Sequence, residues 1–150
     1  MKKYGVIGYP VLQSFSPKYF EEKFRRLGLD DFSYEAIEVK DISTIRDLIY
    51  QGQWDGLNVT IPHKQQIIPF LDGISHLAVK LNAVNTIKVE GQKLIGYNTD
   101  YYGFSTSLTR IMRSGHSSAL IFGTGGSSLA VRFALRKLGI DYLLVSRGEA

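Results

Sequence analysis

The run Asn58-Val59-Thr60-Ile61-Pro62-His63-Lys64 carries the strongest chemical signal in the chain. It begins as a β-rich stretch in which Asn58 and Thr60 share one strand face, while Leu57, Val59 and Ile61 share the other. A parallel strand buried on both faces is apolar throughout, so two polar residues at its C-terminal end point to a ligand crevice there. Lys64 follows on the first turn of a helix, an end where the helix dipole disfavours a cation. The alternative is an exposed lysine, and His63 beside it reads as a surface histidine. In Ser14-Phe15-Ser16-Pro17, two serines two apart in an extended stretch point the same way and suit one polyhydroxylated or carboxylate ligand. The plainer alternative is a helix cap at Ser16 with Ser14 solvated. Asn82-Ala83-Val84-Asn85-Thr86 and Gly96-Tyr97-Asn98-Thr99-Asp100 set further short amides and hydroxyls at the edges of apolar strands. Asp100 stands at a helix start, where N-capping is the alternative role.

A different chemistry is written in Gly123-Thr124-Gly125-Gly126-Ser127-Ser128. An apolar strand precedes these residues and a helix follows, the setting that a dinucleotide fingerprint needs. The first glycine permits a tight turn and the second lets backbone approach a pyrophosphate. The helix N-terminus then offers free N–H groups to phosphate oxygens. Ser128 occupies the third position, where glycine or alanine is usual. The next strand ends Leu144-Val145-Ser146-Arg147 without an acid. An arginine there favours a 2′-phosphate, hence NADP over NAD. The alternatives are a solvated Arg147, or Glu149 as a ribose ligand if the strand runs two residues further.

Segments of two periods must position these groups. Strands are predicted at residues 4–9, 33–39 and 55–61, with helices at 18–27 after Ser16-Pro17, at 41–50 up to Gly52, at 63–71 and at 74–81. Residues 84–89 and 93–97 flank Glu90-Gly91-Gln92 as a hairpin. A helix over 100–113 leads to a strand at 118–122, a helix at 126–138 and a strand at 142–145. Strand–helix alternation implies an α/β fold with a mostly parallel sheet and helices on both faces. Residues 1–100 form one unit of four or five strands, 101–113 a connecting helix, and 114–150 a strand–loop–helix–strand unit. Trp54 is expected to pack under the second and third strands, and Tyr101 and Tyr102 between the two units.

Composition limits the remaining options. The chain has 150 residues, no cysteine and a net charge of +4. No apolar run approaches the ~18 residues of a membrane span, and residues 4–11 are too short and glycine-broken for a signal peptide. The absence of thiols excludes a disulfide scaffold, a zinc ribbon and a cysteine nucleophile, and no metal site is expected. It also fits a reducing cytoplasm. The positive charge is scattered without the basic stripe that nucleic acid requires, but suits an anionic small ligand.

Taken in order, Ser14-Phe-Ser16-Pro17, Asn58-Val-Thr60-Ile-Pro62-His-Lys64, Ala83-Val-Asn85-Thr86, Asn98-Thr-Asp100 and Gly123-Thr-Gly125-Gly126 resemble the shikimate dehydrogenase family over essentially the whole chain. The resemblance implies an N-terminal substrate domain followed by the first β-α-β of a Rossmann-type NADP domain. It implies NADPH-dependent reduction of 3-dehydroshikimate to shikimate, in the cytoplasm, by a monomer or homodimer that binds neither nucleic acid nor membrane. Quinate as substrate stays open. Lys64 and Asp100 correspond to the catalytic pair. Ser14, Ser16, Asn58, Thr60, Lys64, Asn85 and Asp100 correspond to substrate ligands, and Gly123, Thr124, Gly125, Gly126, Ser127, Ser146 and Arg147 to the cofactor side. Hydride transfer to a ketone develops negative charge on oxygen, which an ammonium can stabilise and protonate, with a carboxylate to orient it.

Asn82 departs from the family, which has a small residue before Ala-Val-Asn-Thr. So do Ser127-Ser128, where alanine is common, and Gly148, where threonine is usual. Family members are also longer by roughly a hundred residues or more. The remainder would supply the rest of the cofactor sheet, a substrate-contacting glutamine and a C-terminal helix that packs on the first domain. The chain therefore reads as a truncated copy, with a non-catalytic binding module as the alternative.

Overall fold

The computed structural model describes residues 1–146; Arg147 and Glu149, with their expected cofactor roles, lie outside the described residues. Three parallel strands, β1 (Lys2–Gly8), β2 (Phe32–Glu38) and β3 (Gly56–Val59), stand in the order β2-β1-β3. They are joined by α1 (Ser16–Arg26) and α2 (Ile45–Gly52). After β3 come the short α3 (His63–Gln66), β4 (Gly73–Ile74) and α4 (His76–Leu81). The predicted hairpin forms as β5 (Thr86–Glu90) and β6 (Lys93–Tyr97), and β5 lies antiparallel to β3. Parallel β4 on the far side of β6 completes six strands, where the sequence suggests four or five.

The antiparallel insertion of β5 matters for function. It brings the start of β5 to the same sheet edge as the ends of β1, β3 and β6. Asn58 pairs with Thr86, and Thr86 with Tyr97. The segments that follow β1, β3 and β6, and the one that precedes β5, therefore converge. These four segments carry the polar clusters.

One sheet face is buried under α2, α3 and the turns beside them. Ile7, Leu57, Val59, Ile87 and Leu94 pack there against Ile42, Ile45, Ile49, Trp54 and Ile67. Each such side chain contributes about 1.5–3 kcal/mol of apolar burial. The opposite face is covered by α1 only at its β1–β2 end, where Phe20 stacks on Tyr34 at 4.3 Å and Phe24 meets Phe32. Helices thus lie on both faces, but the second face stays partly open as a groove of about 820 Å³.

Several boundaries differ from expectation. The helix expected over 63–71 stops at Gln66 and gives way to a 3₁₀ turn, Ile68–Phe70, because Pro69 has no N–H to continue it. Ile74 belongs to β4. α4 starts after Ser75, whose hydroxyl accepts the Ala78 N–H at 3.3 Å. At the end of α2 the left-handed residue is Gln53, with φ 51°, and not Gly52. Gly52 serves packing instead, because a Cβ there would collide with the indole nitrogen of Trp54. Asn82 closes α4 with φ 50°, a conformation that asparagine tolerates, which accounts for its presence where a small residue is usual.

α5 (Asp100–Ile111) leads out of the first sheet to a parallel pair, β7 (Ser118–Phe122) and β8 (Asp141–Val145), joined by α6 (Gly126–Lys137). This is a β-α-β unit. Ile121, Leu135 and Ile140 pack with Phe104, Leu108 and Met112 of the α5 segment on one face. Leu120, Phe122 and Leu143 are exposed on the other. α6 docks on the first unit through Ala130 and Leu129 against Leu81 and Ala83, with Tyr101 edge-on to Phe133 at 5.2 Å. Tyr102, expected in the same seam, is exposed, because its neighbouring position on α5 turns it to the groove side.

Candidate functional site

Lys64 is the centre of the site. Its backbone carbonyl accepts the Val84 N–H at 2.7 Å, which fixes α3 beside the start of β5. The side chain is buried, and its Nζ donates to Asp100 Oδ2 at 2.6 Å and to Ser127 Oγ at 2.9 Å. Asp100 is the first residue of α5, but its carboxylate does not cap the helix. One oxygen takes Lys64 and the other accepts Asn85 Nδ2 at 2.7 Å.

Asn85 is buried and saturated. Its amide also donates to Thr99 Oγ1, and its Oδ1 accepts the Thr99 N–H at 2.9 Å and the Thr86 hydroxyl at 3.0 Å. It therefore ties the start of β5 to the start of α5. Asn98, also buried, donates to the Ala83 carbonyl and accepts the Tyr101 N–H. These bonds hold Asp100 where Lys64 can reach it. The lysine is buried, its carboxylate partner half-buried, and the pair is strongly hydrogen-bonded, a setting that orients an ammonium toward a third partner.

A second string of contacts reaches toward α1. Asn58 Nδ2 donates to Thr86 Oγ1 at 3.3 Å, and Asn58 Oδ1 accepts the Tyr34 hydroxyl at 2.6 Å. Burial pushes the Tyr34 phenol up to about 12, against a smaller opposing effect of its hydrogen bond with the Ser16 side chain. The sequence reading missed Tyr34. Its only signal was a place on the β2 face shared with Phe32 and Ala36, and a sequence cannot show which strand or helix that face adjoins.

Ser14 and Ser16 do not act as a pair on an extended strand, because Phe15 is helical with φ −70° and ψ −21°. Ser14 Oγ accepts the Ser16 N–H at 3.2 Å, whereas Ser16 meets Tyr34. β3 ends at Val59, so the strand-face alternation does not extend to Thr60. Asn58 lines the large groove, and Thr60 and Ser14 line a separate pocket of about 540 Å³ with Glu38 and Val11. His63 corrects another expectation, since it is fully buried. Its Nε2 donates to the Val39 carbonyl, which can only accept, at 2.6 Å. It anchors α3 to the sheet and so supports the adjacent Lys64.

The glycine loop stands against this cluster. Gly123 has φ 103°, and a Cβ on Gly123 or Gly125 would meet nothing within 4 Å, so this side of the loop is open. Gly126 differs, because a Cβ there would lie 2.9 Å from Lys64 Cβ. Ser128, the departure from the fingerprint, is buried, and its N–H and hydroxyl both donate to the Gly125 carbonyl at 2.9 and 2.7 Å. It closes the first turn of α6 and leaves the remaining N–H groups of that turn facing the loop, an arrangement that fits a pyrophosphate. Thr124 on the loop and Ser127 in the first turn of α6 are exposed. Gly123 N–H donates to the Val145 carbonyl at 2.8 Å, which brings Ser146 beside it.

Fold and site together define an α/β protein in which a buried lysine, ion-paired with a half-buried carboxylate, faces a dinucleotide-type glycine loop. A family model described as the shikimate dehydrogenase substrate binding domain matches residues 6–87. The chain belongs to the shikimate dehydrogenase family. The shikimate dehydrogenase (NADP(+)) of Staphylococcus aureus strain MSSA476 is 41% identical over 138 residues, which cover 90% of this chain and 51% of that protein. The crystal structure of shikimate dehydrogenase 1 from Peptoclostridium difficile superposes with a TM-score of 0.90 at 33% identity, over 99% of this chain and 56% of that one. A Thermus thermophilus shikimate 5-dehydrogenase, solved in complex with NADP(H) and shikimate, gives 0.84 at 32% identity over 98% of this chain and 56% of that one. The chain spans about half the length of the curated relatives it matches. Among the described residues, no helix is long and apolar enough to cross a membrane.

Proposed function

We propose that this chain comprises the substrate-binding unit (residues 1–100), the connecting helix (101–113) and the first β-α-β of the cofactor unit (114–150) of an NADP-dependent shikimate dehydrogenase. The reaction is the NADPH-dependent reduction of 3-dehydroshikimate to shikimate in aromatic amino-acid biosynthesis. We assign it to the cytoplasm, as a monomer or homodimer. The observation that carries this reading is the part-buried Lys64–Asp100 contact at 2.6 Å, held by Asn85 beside an open glycine loop.

NADPH, when bound, supplies the hydride. Lys64 then stabilises the negative charge that develops on the substrate oxygen and delivers a proton from Nζ. Asp100 orients the ammonium, and Asn85 orients Asp100. Ser14 and Thr60 of the smaller pocket, with Ser16 and Asn58 beside them in the chain, bind the hydroxyls and carboxylate of the ring, with Tyr34 and Thr86 setting the Asn58 amide. Gly123, Thr124, Gly125, Gly126 and Ser127 cradle the pyrophosphate, with Ser146 at the end of β8. Relatives named for NADP(+), and a neighbour solved with NADP(H) and shikimate, support this assignment.

The test is shikimate-dependent NADP+ reduction, followed by absorbance. Lys64→Ala is expected to lower kcat by at least ~10²-fold, the range for a general acid–base group. An undiminished kcat refutes the role of Lys64. The exposed Leu120, Phe122 and Leu143 on the two-stranded β7–β8 sheet favour a second reading, in which the chain binds shikimate-like acids or nucleotide without turnover. Calorimetric binding without any NADP+ reduction distinguishes it.

A further inference from the structure

We infer that Ser127 is a positioning residue for Lys64, coupling the cofactor loop to the orientation of the ammonium; this rests on the reading proposed above. A lysine ammonium has three hydrogens and no acceptor. Asp100 Oδ2 takes one at 2.6 Å and Ser127 Oγ takes another at 2.9 Å, which leaves one for a substrate. Rotation about the Cε–Nζ bond is thereby restricted from two sides.

The contact depends on close approach. The Lys64 stem runs directly over Gly126, where a Cβ would lie 2.9 Å from Lys64 Cβ and 3.3 Å from Cδ. The α6–first-unit seam, with Ala83 and Ala130 wholly buried, sets that distance. Among the described residues, the second hydrogen goes to a hydroxyl supplied by α6 and not to a group of Lys64's own unit. Lys64 also sits against the N-terminal turn of α6, where a cation is disfavoured. Ser127 faces that cation with an oxygen lone pair, which offsets part of the cost. Any displacement of α6 from the first unit breaks the bond and frees the ammonium to turn.

The experiment compares the wild-type chain, Ser127→Ala and Ser127→Thr by two readouts. The first is steady-state NADP+ reduction with shikimate. Ser127→Ala should lower kcat about fivefold, below the range for a fully buried hydrogen bond to a charged group because Ser127 is exposed. Any rise in KM for NADP+ from the lost pyrophosphate contact should come together with this fall in kcat, and Ser127→Thr, which keeps the hydroxyl, should restore kcat. The second readout is competitive amine labelling in alkaline buffer, with Lys64 quantified by peptide mass spectrometry against the exposed Lys88. Ser127→Ala should raise the Lys64/Lys88 ratio about fivefold, and Ser127→Thr should return it.

A raised KM for NADP+ with unchanged kcat would make Ser127 a phosphate ligand only and overturn the inference. An unchanged labelling ratio in Ser127→Ala, or Ser127→Thr behaving like Ser127→Ala, overturns it as well. A wild-type chain without NADP+ reduction but with the expected labelling pattern refutes the proposed function and leaves the positioning contact standing.

Discussion

Replacing Asn85 by aspartate tests the site's construction with almost no change of shape. The Asn85 Oδ1 side keeps its role, because an Asp oxygen can still accept from the Thr99 N–H and the Thr86 hydroxyl. The amide side fails. Nδ2 donates to Asp100 Oδ1 at 2.7 Å and to Thr99 Oγ1 at 2.8 Å, and an oxygen placed there would face a carboxylate oxygen. The lost hydrogen bond to a charged acceptor costs about 1.5–3 kcal/mol. Two carboxylates about 4 Å apart add up to ~4 kcal/mol of repulsion at an effective dielectric near 20. Lys64, at 2.6 Å from the other Asp100 oxygen, offsets part of this. A net destabilisation of about 3 kcal/mol is expected near pH 8.

The sign with pH follows from the like charges. They raise the carboxyl pKa in the folded state above the unfolded value of about 4. The variant therefore keeps its relative stability below that value and loses it as pH rises through the folded pKa. Urea unfolding is followed through Trp54, the only tryptophan, which is buried in the first unit's core. The deficit against wild type should shrink by at least about 1 kcal/mol between about pH 8 and pH 5, whereas Asn85→Ala, which adds no charge, should show a deficit independent of pH. A deficit below about 1 kcal/mol near pH 8, or one equal at both pH values, refutes the reasoning.

Two further outcomes are expected. Gly52→Ala should destabilise the first unit by about 1–3 kcal/mol through overpacking and shift Trp54 emission, although alanine is the better helix former; an unchanged or raised unfolding midpoint contradicts the packing role. In ultraviolet titration, Tyr34→Phe should remove a tyrosine that ionises near 12. Its raised folded pKa also makes wild-type stability fall as pH rises from about 10 through the Tyr34 value, a slope that Tyr34→Phe should lessen. Loss of a tyrosine ionising at the ordinary value would show that Tyr34 is not buried as described.

Much of this protein was legible in its residues because the information is local. Strand–loop–helix order around Gly123–Ser128, the hairpin at Gly91 and the polar clusters at the ends of apolar strands all arise from spacing within a dozen residues. The α/β class and the family resemblance followed from these. The failures were of longer range. His63 looks like any surface histidine until the Val39 carbonyl is brought to its Nε2. Tyr34 gains its environment from α1 and from Asn58, across two strand pairings. Gly52 resembles a helix stop, but answers to the Trp54 ring, whose position is set by its packing among the core residues around Leu57 and the distant Ile87.

Sequence alone determined which chemical groups are present and which kind of element each stands on, because propensity, periodicity and turn residues act between neighbours in the chain. Tertiary structure decided which groups touch. The antiparallel placing of β5 between β3 and β6 gathers Lys64, Asn85 and Asp100 at one sheet edge, and the docking of α6 adds Ser127. Residues 36 and 63 positions apart in the chain were brought to one ammonium by strand register and helix packing. Those depend on how whole faces bury their apolar surface, a property that no short window of sequence contains.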